Sequence, residues 1–303
     1  HSLCGMGLRM SIGILALLLL CPLSFAINAV SVRLYQTKIT SSAHPMLLFQ
    51  GSYCLLASLL YATGVRGLPS LLTVVSAVSF GCCFFLAVTC SARCYVTGPM
   101  SLTSVLVNAS MLLPILWSVL FWNEQVTGSM LAGIVFILCT FVLSAASAGK
   151  AGDHFDKKWF IFVTVAFLCN GTTAILQKYR QHTEPQGNLF VFPCIGYLVA
   201  ALLFYSIYFI RKQKNPELPA HTGSRRPLWW LLVLTAGTGS FLGNCLLQIL
   251  CVRVAAGVLY PVVNGGLCVV TAAASFAFFH ERTTVFKLCS IISGVTGIVL
   301  LSA

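Results

Sequence analysis

Acidic side chains are the scarcest feature of this chain. Six Asp and Glu residues occur among 303, against 18 Lys and Arg, and charged residues make up 8% of the sequence. A soluble protein carries about 25% charged residues, because a surface that faces water needs them. With 58% hydrophobic residues and a mean hydropathy of +0.93, this chain is insoluble unless lipid surrounds it. The scarcity of charge therefore excludes an ordinary soluble domain.

The chain also lacks any hydrophilic segment long enough to fold in water. Its two most polar connections are residues 149–158 and 211–227. The net charge of +12 lies in short connections of this kind, where Lys and Arg set membrane topology and contact lipid headgroups. We therefore expect membrane lipid as a partner, and no nucleic acid.

Groupings that signal catalysis or cofactor binding are missing as well. The 14 Cys include no pair with metal-ligand spacing beside a second Cys or His pair, and no segment has the nucleotide-binding form GxxxxGK[ST]. A membrane-embedded enzyme needs clustered acid, base or metal-binding groups, but the histidines stand alone. We predict no enzyme activity, no metal and no cofactor. The isolated histidines are His1, His44, His154, His182, His221 and His280.

What the sequence has in abundance is long apolar runs. About 20 apolar residues are needed to cross a bilayer as a helix, and spans must be helical because no water is present to bond the backbone. The runs are continuously apolar rather than alternating, which disfavours a β-barrel. We predict an all-α integral membrane protein of about ten transmembrane helices, at residues 10–32, 46–64, 69–92, 98–121, 126–148, 159–179, 189–210, 227–251, 255–279 and 284–302.

Two halves of the chain, residues 1–149 and 150–303, show matching features. Each ends with an apolar helix, a tight break that contains one Glu, and a last helix punctuated by small residues. Five spans per half would invert the second half in the membrane, which is the architecture of many secondary transporters. Coincidence is the competing explanation, since turn glutamates and small residues are common in membrane helices. The matched pairs are Asn28 and Asn170, 142 positions apart, and, 157 apart, Glu124 and Glu281, Gly133 and Ser290, and Thr140 and Gly297.

This arrangement resembles the drug/metabolite transporter superfamily, specifically its EamA-like members, over essentially the whole chain. The family's small residue and Pro before the turn Glu are matched by Gly98 and Pro99. Twelve residues after Pro99, where the family has another Pro, this chain has Met111, with Pro114 nearby. The second half also departs from the pattern, with Ala256 at the place equivalent to Pro99 and a Pro only further on, at Pro261. The resemblance implies a carrier of small metabolites that alternates access around a central cavity, with no catalytic chemistry and no bound cofactor.

Polar side chains in the middle of the predicted spans are the candidate functional groups, because polar groups inside a bilayer are costly and usually face the bundle interior. Neutral amides with aromatic residues suit a polar, zwitterionic or sugar-like solute. A permanently cationic drug would be expected to meet a carboxylate, and none lies in mid-span. The alternative role for these amides is hydrogen bonding between helices. The predicted cavity residues are Asn28, Asn108, Asn170, Asn244, Gln248, Tyr260 and Asn264.

Glu124 and Glu281 admit two interpretations. Either could couple transport to a proton, but both lie at helix–helix turns near the predicted bilayer surface. A carboxylate at the start of a helix is stabilised by the helix dipole and can accept hydrogen bonds from free backbone amides. We therefore predict a helix-capping role for both residues.

These observations predict a gradient-driven or facilitative carrier of a small polar metabolite, such as an amino acid or a sugar, in the plasma membrane. The coupling ion stays open between a proton and sodium, and the oligomeric state between monomer and homodimer. A non-transporting structural or sensory membrane protein is the alternative function, and a membrane-embedded enzyme is a weaker one.

Loop charges conflict with the family resemblance over the orientation of the chain. Five basic residues fall on one side of the predicted membrane and thirteen on the other. The positive-inside rule would put the larger set in the cytoplasm and both termini outside, whereas the resemblance implies cytoplasmic termini. An inverted member, a further span before His1, or different span boundaries would each resolve the conflict.

Overall fold

The computed structural model describes residues 12–39, 42–97, 100–125, 127–147, 157–215, 226–279 and 285–302. Within that part of the chain all regular secondary structure is helical, which confirms the all-α prediction. The helices are α1 (Ile12–Lys38), α2 (Ala43–Ala62), α3 (Leu71–Thr97), α4 (Met100–Ala109), α5 (Leu112–Trp122), α6 (Gly128–Ser147), α7 (Lys157–Thr183), α8 (Val191–Lys214), α9 (Arg226–Arg253), α10 (Ala256–Phe279) and α11 (Val285–Ser302).

By length and composition, seven helical segments of the described chain can cross a membrane, with α4 and α5 contributing to one of them. Shorter apolar stretches lie in α6, α10 and α11. The count of ten spans stays a prediction. Several helices extend past their predicted ends, because backbone hydrogen bonds continue after the apolar run stops. For example, α1 reaches Lys38 rather than ending at residue 32.

The predicted fourth span is broken into two helices. The turn between α4 and α5 lies at Ser110 and Met111. Pro114 has no N–H to bond the Ser110 carbonyl, and its ring crowds that carbonyl. The chain tightens instead, and the Leu113 N–H donates to the Ser110 carbonyl oxygen at 3.0 Å. This break was not predicted from the sequence, and it places Ser110 at the cavity described below.

Helices of each half pack mainly on helices of the other half. α1 packs along α9, α3 along α7, α2 along α8, and α6 along α11. The largest buried hydrophobic clusters accordingly combine the halves, with Ile137 near Leu250 and Leu259 in one, and Phe49 with Phe204 in another. The core therefore lies between residues 12–147 and residues 157–302, and not within either half alone.

Small residues let α6 and α11 approach closely. A Cβ atom added to Gly133 would lie 3.1 Å from the Gly297 carbonyl oxygen, and one added to Gly297 would lie 3.1 Å from the Gly133 carbonyl oxygen. Along the same contact, Ser290 Oγ donates to the Thr140 carbonyl oxygen at 3.1 Å. Lipid tails are as apolar as the side chains, so close backbone approach and interhelical hydrogen bonds stabilise such a contact.

α1 and α9 meet through a second small-residue pattern. A Cβ atom on Gly239 would lie 2.9 Å from both the Ser24 carbonyl oxygen and the Asn28 nitrogen. One helical turn later, a Cβ atom on Gly243 would meet the ring of Phe25 at 2.9 Å. Larger residues at these glycines would separate the helices and displace Asn28 from its position.

Candidate functional site

A cavity of about 210 Å³ lies between helices of the two halves. That volume corresponds to about seven water molecules at liquid density, which is the scale of a small metabolite. The lining residues are Phe25 and Asn28 of α1, Phe80 and Phe84 of α3, Ser110 and Met111 of the α4–α5 turn, Asn170, Thr173, Ala174 and Gln177 of α7, Tyr197 of α8, Ser240, Asn244 and Leu247 of α9, and Tyr260, Val263, Asn264 and Leu267 of α10.

The structure brings five of the seven predicted cavity residues together. Asn108 and Gln248 do not line the cavity. Asn108 lies in the last turn of α4, just before the break, and Gln248 is 1% exposed and bonded to Gln181. A polar residue in a span predicts an interior position, but its place along and around the helix decides which cavity or contact it faces. The five that line the cavity are Asn28, Asn170, Asn244, Tyr260 and Asn264.

Asn28 and Asn170 reach the cavity from α1 and α7. Asn28 Nδ2 donates to the Ala236 carbonyl oxygen of α9 at 3.1 Å. Asn170 Nδ2 donates to Ser110 Oγ at 2.7 Å, across to the α4–α5 turn. Each amide therefore ties its helix to a neighbour while it lines the cavity. Interhelical bonding and cavity lining, which the sequence left as alternatives, are combined in one side chain.

Asn244 connects three helices at the cavity wall. Its Oδ1 accepts from Gln177 Nε2 at 3.1 Å, and its Nδ2 donates to the Tyr197 hydroxyl at 2.6 Å. Sequence reasoning did not select Gln177, because it lies near the predicted end of its span. It follows Asn170 by seven residues, however, and so lies on the same face of α7. That spacing is the signal that could have found it.

Two further polar contacts follow toward the C-terminal end of α7. Gln181 Nε2 donates to Gln248 Oε1, and both side chains are buried. Lys178 forms an ion pair with Glu124, with 2.5 Å between Nζ and Oε1 and side-chain exposures of 4% and 24%. The ammonium also lies 5.7 Å from the centre of the Trp122 ring, within cation–π range. These contacts tie α7 to α9 and to the α5–α6 turn.

Glu124 caps a helix that is distant in the sequence. Its Oε2 accepts from the Ala256 N–H at 2.7 Å, at the first residue of α10, where the helix dipole favours a negative charge. The following helix, α6, is capped by Thr127, whose hydroxyl accepts from a first-turn N–H at 3.3 Å. α5 ends at Asn123 in the left-handed conformation, with φ of 50°. Glu281 lies outside the described residues.

A second cavity, of about 530 Å³, lies where the α2–α3 connection meets the α7–α8 connection. Buried Arg180 donates to the Asn188 carbonyl oxygen at 2.8 Å and to the Thr73 hydroxyl at 3.3 Å. Thr73 Oγ1 in turn donates to Glu184 Oε2 at 2.6 Å. Hydrogen bonds from Ser70 and Thr73, with the Arg180 charge nearby, hold the pKa of Glu184 below its ordinary value. These contacts fasten α3 to the end of α7.

The chemistry of the first cavity is that of amides, hydroxyls and aromatic rings. The described residues of its lining include no Asp, Glu, His, Lys or Arg. No group of three or more His, Cys, Asp and Glu that could hold a metal ion occurs in the ranges the structure describes. The arrangement can therefore bind a solute through hydrogen bonds and ring contacts.

Comparison with known proteins adds a family and a fold. Residues 157–303 match the model of the EamA-like transporter family. A solved structure described as "Crystal structure of protein" superposes with a TM-score of 0.74 over 95% of this chain and 97% of that chain, at 15% sequence identity. At that identity the likeness shows the fold alone. No curated protein matches the chain.

The family match and the apolar helices agree with each other. Seven membrane-competent segments within the described ranges, and a match to a family of membrane transporters, indicate an integral multi-pass membrane protein. The family resemblance read from the turn Glu and the small residues of the last helices is confirmed for the second half of the chain. Residues 157–303 are thus similar to the EamA-like transporter family, a match consistent with the drug/metabolite transporter superfamily.

Proposed function

We propose that the protein is a secondary carrier of a small polar solute, and that the solute passes through the cavity between the two halves by alternating access. The observation that carries this proposal is the composition of the cavity wall. Asn28 of α1 and Asn170 of α7 both line it, as do side chains from five other elements drawn from both halves. A site shared between two halves changes shape when the halves move relative to each other.

The helix pairings support two inverted repeats, residues 1–149 and 150–303. If the halves correspond in order, with α4 and α5 taken as one span, then α1 corresponds to α7 and α3 to α9. The packing of α1 on α9 and that of α3 on α7 are then equivalent contacts. A pseudo-two-fold axis in the membrane plane relates such contacts in transporters built from inverted repeats.

Alternating access requires that one end of the pathway be closed while the other is open. The polar contacts beyond the cavity support closure at the C-terminal end of α7. Gln181 pairs with Gln248 there, and Lys178 pairs with Glu124. Gln181 lies eleven residues beyond Asn170, or about 16 Å along a helix. We infer that solute enters from the opposite end in this state, and that these contacts separate when the halves move.

Reconstitution tests the proposed function. The purified protein is placed in liposomes, and uptake of labelled amines, amino acids, sugars and polyols is measured with and without a proton or sodium gradient. Saturable uptake of one class, absent from protein-free liposomes, supports the carrier. If folded protein moves no solute under any gradient, the structural or sensory alternative is favoured.

A further inference from the structure

We propose that the cavity selects solutes that carry a primary amine and lack a carboxylate. This inference rests on the proposed transport function, because it names the substrate class of the same cavity. It departs from the amino acids and sugars expected from the sequence, and it assigns to amide oxygens and aromatic rings the part that a carboxylate was expected to play for a cation.

Each amide nitrogen of the cavity already donates at least one hydrogen bond to the protein. The amide nitrogens of Asn28, Asn170 and Asn264 each donate to a protein oxygen, at 2.7 to 3.1 Å. Those of Gln177 and Asn244 do the same. No cationic side chain is among the described residues that line the cavity. A carboxylate that entered would lose its hydration without meeting a positive charge, and it would compete with the protein oxygens that these nitrogens already bond, which is unfavourable.

Hydrogen-bond acceptors show the opposite pattern. The side-chain oxygens of Asn28, Asn170, Gln177 and Asn264 accept no hydrogen bond from the residues that the structure describes. None of these four oxygens is among the polar atoms that the protein encloses completely. Each amide is oriented by its engaged nitrogen, so its oxygen is held ready for a donor from outside the protein. The cavity is therefore organised to accept hydrogen bonds.

Aromatic rings supply the second part of the selection. Phe25, Phe80, Phe84 and Tyr260 line the same cavity. The face of an aromatic ring carries partial negative charge and attracts a cation, most strongly where water is excluded. A primary ammonium group combines three N–H donors with a positive charge, so it matches both the amide oxygens and the rings. A quaternary ammonium carries the charge without the donors, and a sugar carries donors without the charge.

Four probes on one aromatic frame separate these features. They are 2-phenylethylamine, L-phenylalanine, 3-phenylpropionate and phenethyltrimethylammonium, which present an amine, a zwitterion, a carboxylate and a donor-free cation. Binding to the full-length protein in detergent is measured by titration calorimetry. We expect 2-phenylethylamine to bind at least about tenfold more tightly than each of the other three, because a hydrogen bond to a charged group contributes that much. Tighter binding of either carboxylate-bearing probe would overturn the proposal.

Asn264 is the cavity residue whose substitution tests the inference most cleanly. Its Nδ2 donates to the Tyr260 carbonyl oxygen of the same helix at 3.0 Å, so replacing it breaks no contact between helices. Asn264→Leu removes the acceptor and should weaken 2-phenylethylamine about tenfold. Asn264→Asp keeps an acceptor and adds a negative charge, so it should strengthen binding. Thr296→Val is the matched control, since Thr296 Oγ1 also donates within its own helix, at 2.9 Å, but away from the cavity.

The outcomes distinguish this inference from the function on which it rests. Unchanged amine affinity in Asn264→Leu means that binding occurs elsewhere, and overturns the inference. Liposome uptake of an amino acid or a sugar, but of no amine, overturns the inference and leaves the carrier intact. Amine binding that depends on Asn264, without uptake of any solute, supports the selectivity of the cavity and contradicts the proposed transport function.

Discussion

Gly133 faces Gly297 across the contact between α6 and α11. Residues of the two halves correspond at an offset of 157 positions, and this offset relates the Gly133–Gly297 contact to a second contact between the same helices. The offset carries Gly133 to Ser290 and Thr140 to Gly297. Ser290 donates to the Thr140 carbonyl oxygen, so the second pair is in contact as the first pair is. A two-fold axis requires this reciprocity, because each contact between equivalent surfaces occurs twice. The α6–α11 contact therefore supports the proposed inverted repeat.

Adding a methyl group to Gly133 should destabilise this contact. In Gly133→Ala the new Cβ would lie 2.5 Å from the Leu301 side chain and 3.1 Å from the Gly297 carbonyl oxygen. Overpacking of this kind costs about 1–3 kcal/mol. Gly128→Ala in the same helix is the control, since nothing lies within 4 Å of its Cβ position. Thermal unfolding in detergent should show a lower midpoint for Gly133→Ala alone. Equal midpoints would mean that the helices do not meet here.

Removing both asparagines of the proposed solute path should impair transport without unfolding the protein. Asn28→Ala with Asn170→Ala deletes two cavity amides; the first substitution loses one interhelical hydrogen bond and the second loses two. We expect the ratio kcat/KM for uptake to fall about tenfold or more. The control is Asn215→Ala, at the exposed end of α8. Size-exclusion profiles establish that the variants are folded. Unchanged uptake by the double variant would show that neither side chain contributes to the solute path.

Breaking the Lys178–Glu124 pair on one side should be worse than replacing both partners. Glu124→Gln leaves the buried Lys178 ammonium without its counter-charge, a loss of about 3 kcal/mol. Adding Lys178→Met removes the stranded charge, so the double variant should be more stable than Glu124→Gln alone. A double-mutant cycle of unfolding midpoints measures this coupling. Additive effects would show that the two residues do not interact.

The Glu184 carboxylate should make the end of α7 sensitive to acid. Its pKa is lower in the folded protein than its ordinary value of 4.5. Its contribution to stability is therefore complete above that value and is lost as the pH falls through the lowered one. Between about pH 6 and about pH 3, the natural chain should lose more stability than Glu184→Gln. The comparison uses unfolding midpoints, and parallel losses in both proteins would contradict the assignment.

The helical fold was predictable because lipid simplifies the problem. A continuous apolar run must form a helix in a bilayer, so composition and run length indicate the architecture. The break at Ser110 was not predicted, because Pro114 alone does not say whether a helix kinks or stops. The distant cap that Glu124 provides for α10 was missed for a different reason. Capping is expected from residues near in sequence, and only the packing of the helices brings Ala256 to the α5–α6 turn.

The candidate site was predictable in part. Mid-span amides had to face the interior, and Asn244 with Asn264 reached the same cavity. Gln248 faces Gln181 instead, because it lies one turn, or about 6 Å, beyond Asn244 on the same face of α9. The sequence could not predict which amide oxygens accept no hydrogen bond from the protein. Which end of an amide is engaged depends on the neighbouring helix, and that neighbour comes from the other half of the chain.

Counterflow in proteoliposomes tests the central claim most directly. Liposomes that contain the protein are loaded with unlabelled solute, and entry of the same labelled solute is followed in the absence of any ion gradient. A carrier whose two halves alternate around one cavity should show transient accumulation of label above equilibrium, and Asn28→Ala with Asn170→Ala should abolish it. Label that enters at the same rate whether or not the liposomes are preloaded would contradict alternating access through this cavity.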